Sequence, residues 1–321
     1  MGVDFLDDLK EIVESWLDSY GIKYKEKDTL RDLLINYFSF QDKYAFPQKR
    51  NVHYSKELRI SINTYDERAQ IAINKLKTWV ENGVDINGFQ SRGLYGARGE
   101  RDYQNMLYGV VHLHLSASKN DELPKIKKNG FAKPSDKILI ALFKEQEAYF
   151  VDVIQHPQSI RQGDTKWTSK RTLEIIANNW PFLVEQHLAR GMTLCHENGE
   201  PVGLNDENIR ELTTKHINTP IQIGKKTYFP NTPIATSGHS IRAVMRADMM
   251  INDAQKVQES CHRQKKHLHD EWKKFLISQG RAVPNSFDVH LDYFAHYGRF
   301  FVYDRISGVA WDYQKQKLRL F

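Results

Sequence analysis

Cysteine is nearly absent from this sequence, with Cys195 and Cys261 the two examples among 321 residues and no metal-type spacing between them. That excludes a disulfide scaffold and a cysteine-based zinc site, and it suits two reduced thiols. Long apolar runs are missing too, since nothing approaches the ~20 consecutive apolar residues that a bilayer span needs. The first nine residues are acidic where a secretory leader would be basic and then apolar, and Leu6 stands where a myristoylation signal after Gly2 needs Ser or Thr. The expectation is a cytoplasmic chain with no membrane partner. Several catalytic signatures are also lacking. Ser237-Gly238-His239-Ser240 has the wrong spacing for a hydrolase elbow, and there is no H-E-x-x-H zinc motif. His114-Leu115-Ser116 supplies one H-x-[S/T] strand, but a two-histidine phosphoesterase needs a second.

What is present is enough apolar material for a real core, 40% hydrophobic and 12% aromatic, in a chain whose length favours roughly two domains. The formal charge is +6, which favours a polyanionic partner without identifying one. Periodicity places helices first. Phe5, Leu9, Ile12, Val13, Trp16 and Leu17 recur at helical spacing before Gly21, and a second helix follows Asp28. Residues 55–82 read as a third helix, so residues 1–84 form an expected helical unit. Glycines and arginines then crowd together over residues 85–101, including Arg92 and Arg98. This reads as a basic loop or surface linker, and it lacks the lysine and hydroxyl of a phosphate-binding P-loop.

The period changes to two in the middle. Residues 110–116 (VVHLHLS) alternate strictly, and KILIALF and AYFVDVI, joined by a short polar stretch, predict a hairpin. A helix is expected over residues 169–178. Residues 191–230 are turn-rich and mixed. A basic helix of about 38 residues should follow Ser240 and stop at Gly280, with a possible break near Asn252, before aromatic strands close the chain. The fold class is therefore α+β: a helical unit at 1–84, a small antiparallel sheet with flanking helices at 85–190, and an α+β unit with the long helix at 191–321.

His112 and His114 are the sharpest chemical feature. Two apart on a strand, their imidazoles share one side at about 6.5–7 Å. Such a pair can divide general base and general acid near neutral pH, as metal-independent RNA cleavage demands, or can hold a metal with a third ligand such as His156. The plain alternative is a polar strand face packed on a helix. Lys137, Arg161, Lys166, Lys170 and Arg171 cluster around the hairpin and the next helix, while Tyr108, Tyr149 and Trp167 offer planes on which bases stack. On the late helix His262, Lys266, His269 and Lys273 fall at i, i+4, i+7 and i+11, a cationic stripe that could track a phosphate backbone. Asp288, His290 and Asp292 could be read as a metal cluster, but alternating Asp and His more simply mark a solvated strand edge.

A helix before a short antiparallel sheet bearing His, Lys, Arg and Tyr on one exposed face, with no metal motif, resembles the small RNase-toxin fold of the barnase and RelE families. The likeness covers at most residues 85–190. The strings HLHLS, KILIALF, AYFVDVIQHP and NNWP also resemble a pattern in bacterial proteins of mobile-element or defence character, which implies a toxin or phage-defence effector. The resemblance implies a ribonuclease effector that uses no cofactor. It carries over His112, His114 and His156 as the set that moves protons; the residues themselves add Lys137 and Arg161 to stabilise the charged phosphorane, with Tyr149 beside them. Arg92, Arg98, Lys166, Trp167, Lys170 and Arg171 would hold RNA or another nucleic acid. The flanking parts would be regulatory or would bind a protein partner such as an antitoxin. The rival from the residues themselves is a non-catalytic protein that binds nucleic acid or a partner through the late helix, and a His-ligated metallohydrolase is a third reading.

Overall fold

A computed structural model describes residues 4–95, 102–127, 130–158, 160–192, 195, 203–294 and 298–320. The chain runs α1 (Phe5–Tyr20), α2 (Leu30–Gln41), β1 (Asn51–Tyr54), α3 (Lys56–Ser61), α4 (Glu67–Glu81), α5 (Tyr103–Tyr108), β2 (Val111–His114), β3 (Lys137–Phe143), β4 (Glu147–Gln155), α6 (Arg171–Asn179), α7 (Asp206–Thr214), β5 (Ile221–Ile223), β6 (Lys226–Tyr228), α8 (Ile241–Arg263), α9 (Lys265–Ser278), β7 (Val289–Phe294), β8 (Arg299–Asp304), β9 (Val309–Asp312) and β10 (Lys317–Leu320). The class is α+β. Two compact units emerge, Ser39–Arg242 and the pairing of Met1–Phe38 with Ala243–Phe321. The boundaries expected near 84 and 190 fall inside the first of these. The reason is a strand that sequence periodicity does not reveal: β1 pairs in parallel with β4 and carries α3 and α4 onto the sheet.

The unit Ser39–Arg242 is built on a sheet ordered β1-β4-β3-β2, with the β3–β4 hairpin at its centre. Alternation sends Leu139 and Ala141 of β3 to one face, where Leu58, Ile73, Leu76 and Trp79 of α3 and α4 cover them beside Phe150. Ile138, Ile140 and Leu142 go to the other face, against Leu173, Ile175 and Ile176 of α6 and Leu107 and Tyr108 of α5. Burial on both faces explains why β3 reads as an unbroken apolar run. The helix expected over residues 55–82 is two helices instead. Asp66 restarts the chain as an N-cap, its carboxylate accepting the Ala69 N–H at 2.9 Å.

Ser55 does two jobs at the start of α3. Its hydroxyl oxygen accepts the Leu58 N–H at 2.9 Å and its O–H donates to the Val151 carbonyl at 2.6 Å, and the residue is fully buried. Replacing Ser55 by alanine removes the cap and a buried hydrogen bond to the Val151 carbonyl, so Ser55→Ala is expected to cost about 1–2 kcal/mol, read as a lower urea midpoint with unchanged slope.

In the other unit α1 packs on β7 of an antiparallel meander ordered β10-β9-β8-β7. Asp8 accepts the Leu291 N–H at 2.8 Å, and the two nitrogens of His290 lie 3.0 Å from Asp8 and 3.1 Å from Asp288. The long basic helix is interrupted at Gln264 rather than near Asn252, which divides it into α8 and α9. Among the described residues no helix is long and apolar enough to cross a membrane.

Candidate active site

β2 lies at the edge of the sheet with His112 opposite Ile140 and His114 opposite Ile138, so both imidazoles share the face bearing Ile138 and Ile140. Their ring centroids are 6.3 Å apart. Neither ring is open to solvent, each residue being 6% exposed. The third histidine is brought back to them. The His156 N–H donates to the Asp136 carbonyl at 2.6 Å just beyond β4, and its ring stacks on His114 at 5.1 Å and 14°. Trp167, on a turn capped by Asp164, donates its indole N–H to the Gln158 carbonyl at 2.5 Å and closes the group edge-on, 5.2 Å from His112 and 6.2 Å from His156.

A cavity of about 190 Å³ opens among these rings, lined by Asp102, Tyr103, His112, His156, Ile160 and Trp167 with Ser91. His114 is not in its wall; it supports His156 through the ring stack. Hydrogen bonding assigns the tautomers. The Pro157 carbonyl, 2.8 Å from His156 Nδ1, can only accept, so Nδ1 carries a proton and neutral His156 keeps a lone pair on Nε2. The Ser135 N–H donates to His114 Nδ1 at 3.2 Å, so neutral His114 is protonated on Nε2.

Burial dominates the proton affinities. It pushes the His114 imidazole down to about 4, helped by the neighbouring His112 and His156. His112 is also lowered, first by burial and then by His156 and Lys43, with the Asp102 carboxylate pulling the other way from 3.9 Å. Both His112 ring nitrogens are buried without a hydrogen-bond partner among the described residues. A buried imidazole left unsatisfied on both sides is costly, and in the wall of a cavity it is suited to a polar guest.

The remaining expected residues divide sharply. Lys137 shares the face of Leu139, opposite to the histidines, and its ammonium is paired with Asp66. It therefore cannot serve these imidazoles, because strand alternation turns it through the sheet. Tyr149 sits on β4 between Trp180 and His53 and does not line the cavity. Arg171 donates from Nε to Asp152 at 2.9 Å, the Lys170 N–H donates to Asp206, and the exposed Lys166 ammonium lies 3.4 Å from Asp164 beside Trp167. The side chains of Arg92 and Arg161, and all of Arg98, lie outside the described residues.

His262, Lys266, His269 and Lys273 belong to the other unit. There the break at Gln264 divides the stripe, and His269 packs against Phe287 and Trp272 at 5.1 and 6.4 Å rather than facing outward with Lys266 and Lys273.

Three residues escaped the sequence reading. Asp102 caps α5 by accepting the Asn105 N–H at 3.0 Å and turns its second oxygen toward His112. Its signal was an Asp three residues before an Asn at the end of a glycine-rich loop. Tyr103 follows it into the cavity wall, and the buried Lys43, whose ammonium donates to the Gly93 carbonyl at 3.3 Å, lies near enough to repel a proton from His112. Nothing local marks either of them. Among the described residues no three His, Cys, Asp or Glu side chains converge as metal ligands. Comparison of the chain with protein-family models, with curated proteins and with solved structures finds no match.

Proposed function

We propose that the imidazole cavity is the active site of a metal-independent ribonuclease. The observation that carries this reading is the pairing of a partly buried His156, with a lone pair on Nε2, and a buried His112, backed by Asp102, in one cavity wall beside an indole plane. His156 Nε2 takes the proton of a ribose 2′-hydroxyl, whose oxygen attacks the adjacent phosphorus. The bond from phosphorus to the 5′-oxygen breaks, and that oxygen takes a proton from His112. The products are a 2′,3′-cyclic phosphate and a free 5′-hydroxyl. Desolvation favours the neutral form of His112, and a phosphodiester anion beside it favours its imidazolium, as does Asp102 at 3.9 Å. Lys43 supplies fixed positive charge near the same ring. Trp167 offers the face on which a base stacks.

The test is incubation of the full chain with a single-stranded RNA in excess EDTA, beside the same sequence as DNA. Cleavage of RNA to cyclic-phosphate ends, with the DNA intact, is expected. Uncut RNA, or DNA cut equally well, removes the reading, because the chemistry needs the 2′-hydroxyl. Trp167→Ala should raise KM by the loss of about 1–3 kcal/mol of stacking, with a smaller change in kcat.

A further inference from the structure

A second cavity in the unit Ser39–Arg242, about 150 Å³ in volume, shares no lining residue with the first. Leu107, Leu142, Leu173 and Val184, all buried, form part of its wall. Lys144, His187 and Arg242 line it as well. Among the described residues neither Lys144 nor Arg242 is held in an ion pair, although Arg242 donates to the Asn231 carbonyl at 3.1 Å. The one carboxylate in the wall, Asp42, accepts the Ser240 hydroxyl at 3.5 Å.

His187 records the resulting field. Burial lowers its proton affinity most, and the charges of Arg242 and Lys144 lower it further. The Gln186 amide donates to His187 Nε2 at 3.1 Å, so the neutral ring is protonated on Nδ1 and can itself donate. Two full cations and an imidazole donor gathered around one partly enclosed space repel one another, and an anion between them reverses the sign of that interaction. Asn231 is rigidly placed. Its N–H donates to the Leu107 carbonyl at 2.9 Å and its amide donates to the Asn105 carbonyl at 3.1 Å, while Gly109, at φ +71°, leaves only 3.1 Å between Asn231 and the place a Cβ would occupy.

We infer that this cavity binds an oxyanion of the phosphate class, held by Lys144, Arg242 and His187. The ligand is either free phosphate or the terminal phosphate of a nucleic-acid strand. The inference does not rest on the ribonuclease reading, because it concerns different residues and is read by binding.

The experiment follows the ring signals of His187 by NMR while inorganic phosphate is added to the full chain at pH 7. A saturable shift is expected, with a midpoint raised about tenfold or more in the Lys144→Gln/Arg242→Gln variant, which removes two charge-assisted contacts to the anion. Both replaced side chains are exposed, so the variant should keep the wild-type denaturation midpoint. No saturable shift in the wild type, or an unchanged midpoint in the variant, overturns the assignment. A 5′-phosphorylated DNA oligonucleotide that displaces phosphate, where its 5′-hydroxyl counterpart does not, assigns the strand end as ligand. Displacement by neither assigns free phosphate.

Discussion

Replacement of His156 by alanine is expected to slow RNA cleavage by about 100- to 10,000-fold at saturating substrate, the range over which a positioned general base acts. The effect should appear in kcat with little change in KM, because the lone pair on Nε2 acts on the transferring proton and contributes little to ground-state binding. His112→Gln should fall in the same range if His112 donates to the leaving oxygen. His114 is a positioning residue in this arrangement, since it stacks under His156 at 5.1 Å and stays out of the cavity wall. The discriminating variant is His114→Phe, which keeps a planar support and cannot carry a proton. Retention of most of the rate by His114→Phe, with a marked loss in His114→Ala, fits support of the His156 ring. A His114→Phe protein as slow as His156→Ala would instead place His114 in the chemistry and overturn this division of roles.

Acid should destabilise the unit Ser39–Arg242 through the same cluster. In the unfolded chain His114 takes up a proton near its ordinary value of 6.5, and in the folded chain only near 4. Between those values the unfolded state binds more protons than the folded one, so stability falls as the pH drops through the window. The loss accumulates to roughly 3 kcal/mol by about pH 4. His112, lowered in the same direction, adds to it. Urea denaturation at pH 7.5 and pH 4.5, read through hydrogen exchange of the β3 amides, measures the slope for this unit. The slope should flatten in His114→Phe, which has no proton to bind. A wild-type stability that is level across this range would mean that the buried imidazoles are protonated with little penalty.

Legibility in the sequence follows the range of the interaction involved. The β3–β4 hairpin, the shared face of His112 and His114, and the closure of α1 at Gly21 were all readable, because each depends on alternation, turn residues or caps within a few positions. The four-residue strand β1 was not, since NVHY has too few residues to show a period and its partner is β4, far along the chain. The break at Asp66 was legible in principle as a cap, but the apolar residues on either side continue near helical spacing and conceal it. Lys137 shows the opposite failure: it sits beside the histidines in sequence logic, and the pleat turns it toward Asp66.

Local residue patterns by themselves determined that the chain is α+β, that its centre is a hairpin of apolar strands, and that two imidazoles project from one side of a strand. Those outcomes are settled by backbone geometry over a few residues. Tertiary structure alone decided that His156 returns to stack on His114, that Asp102 turns to His112, and that Trp167 closes the cavity. It also decided that Met1–Phe38 joins Ala243–Phe321 in one unit. These depend on strand register and on which faces the helices cover, which are properties of the whole packed sheet. No short stretch of sequence contains them.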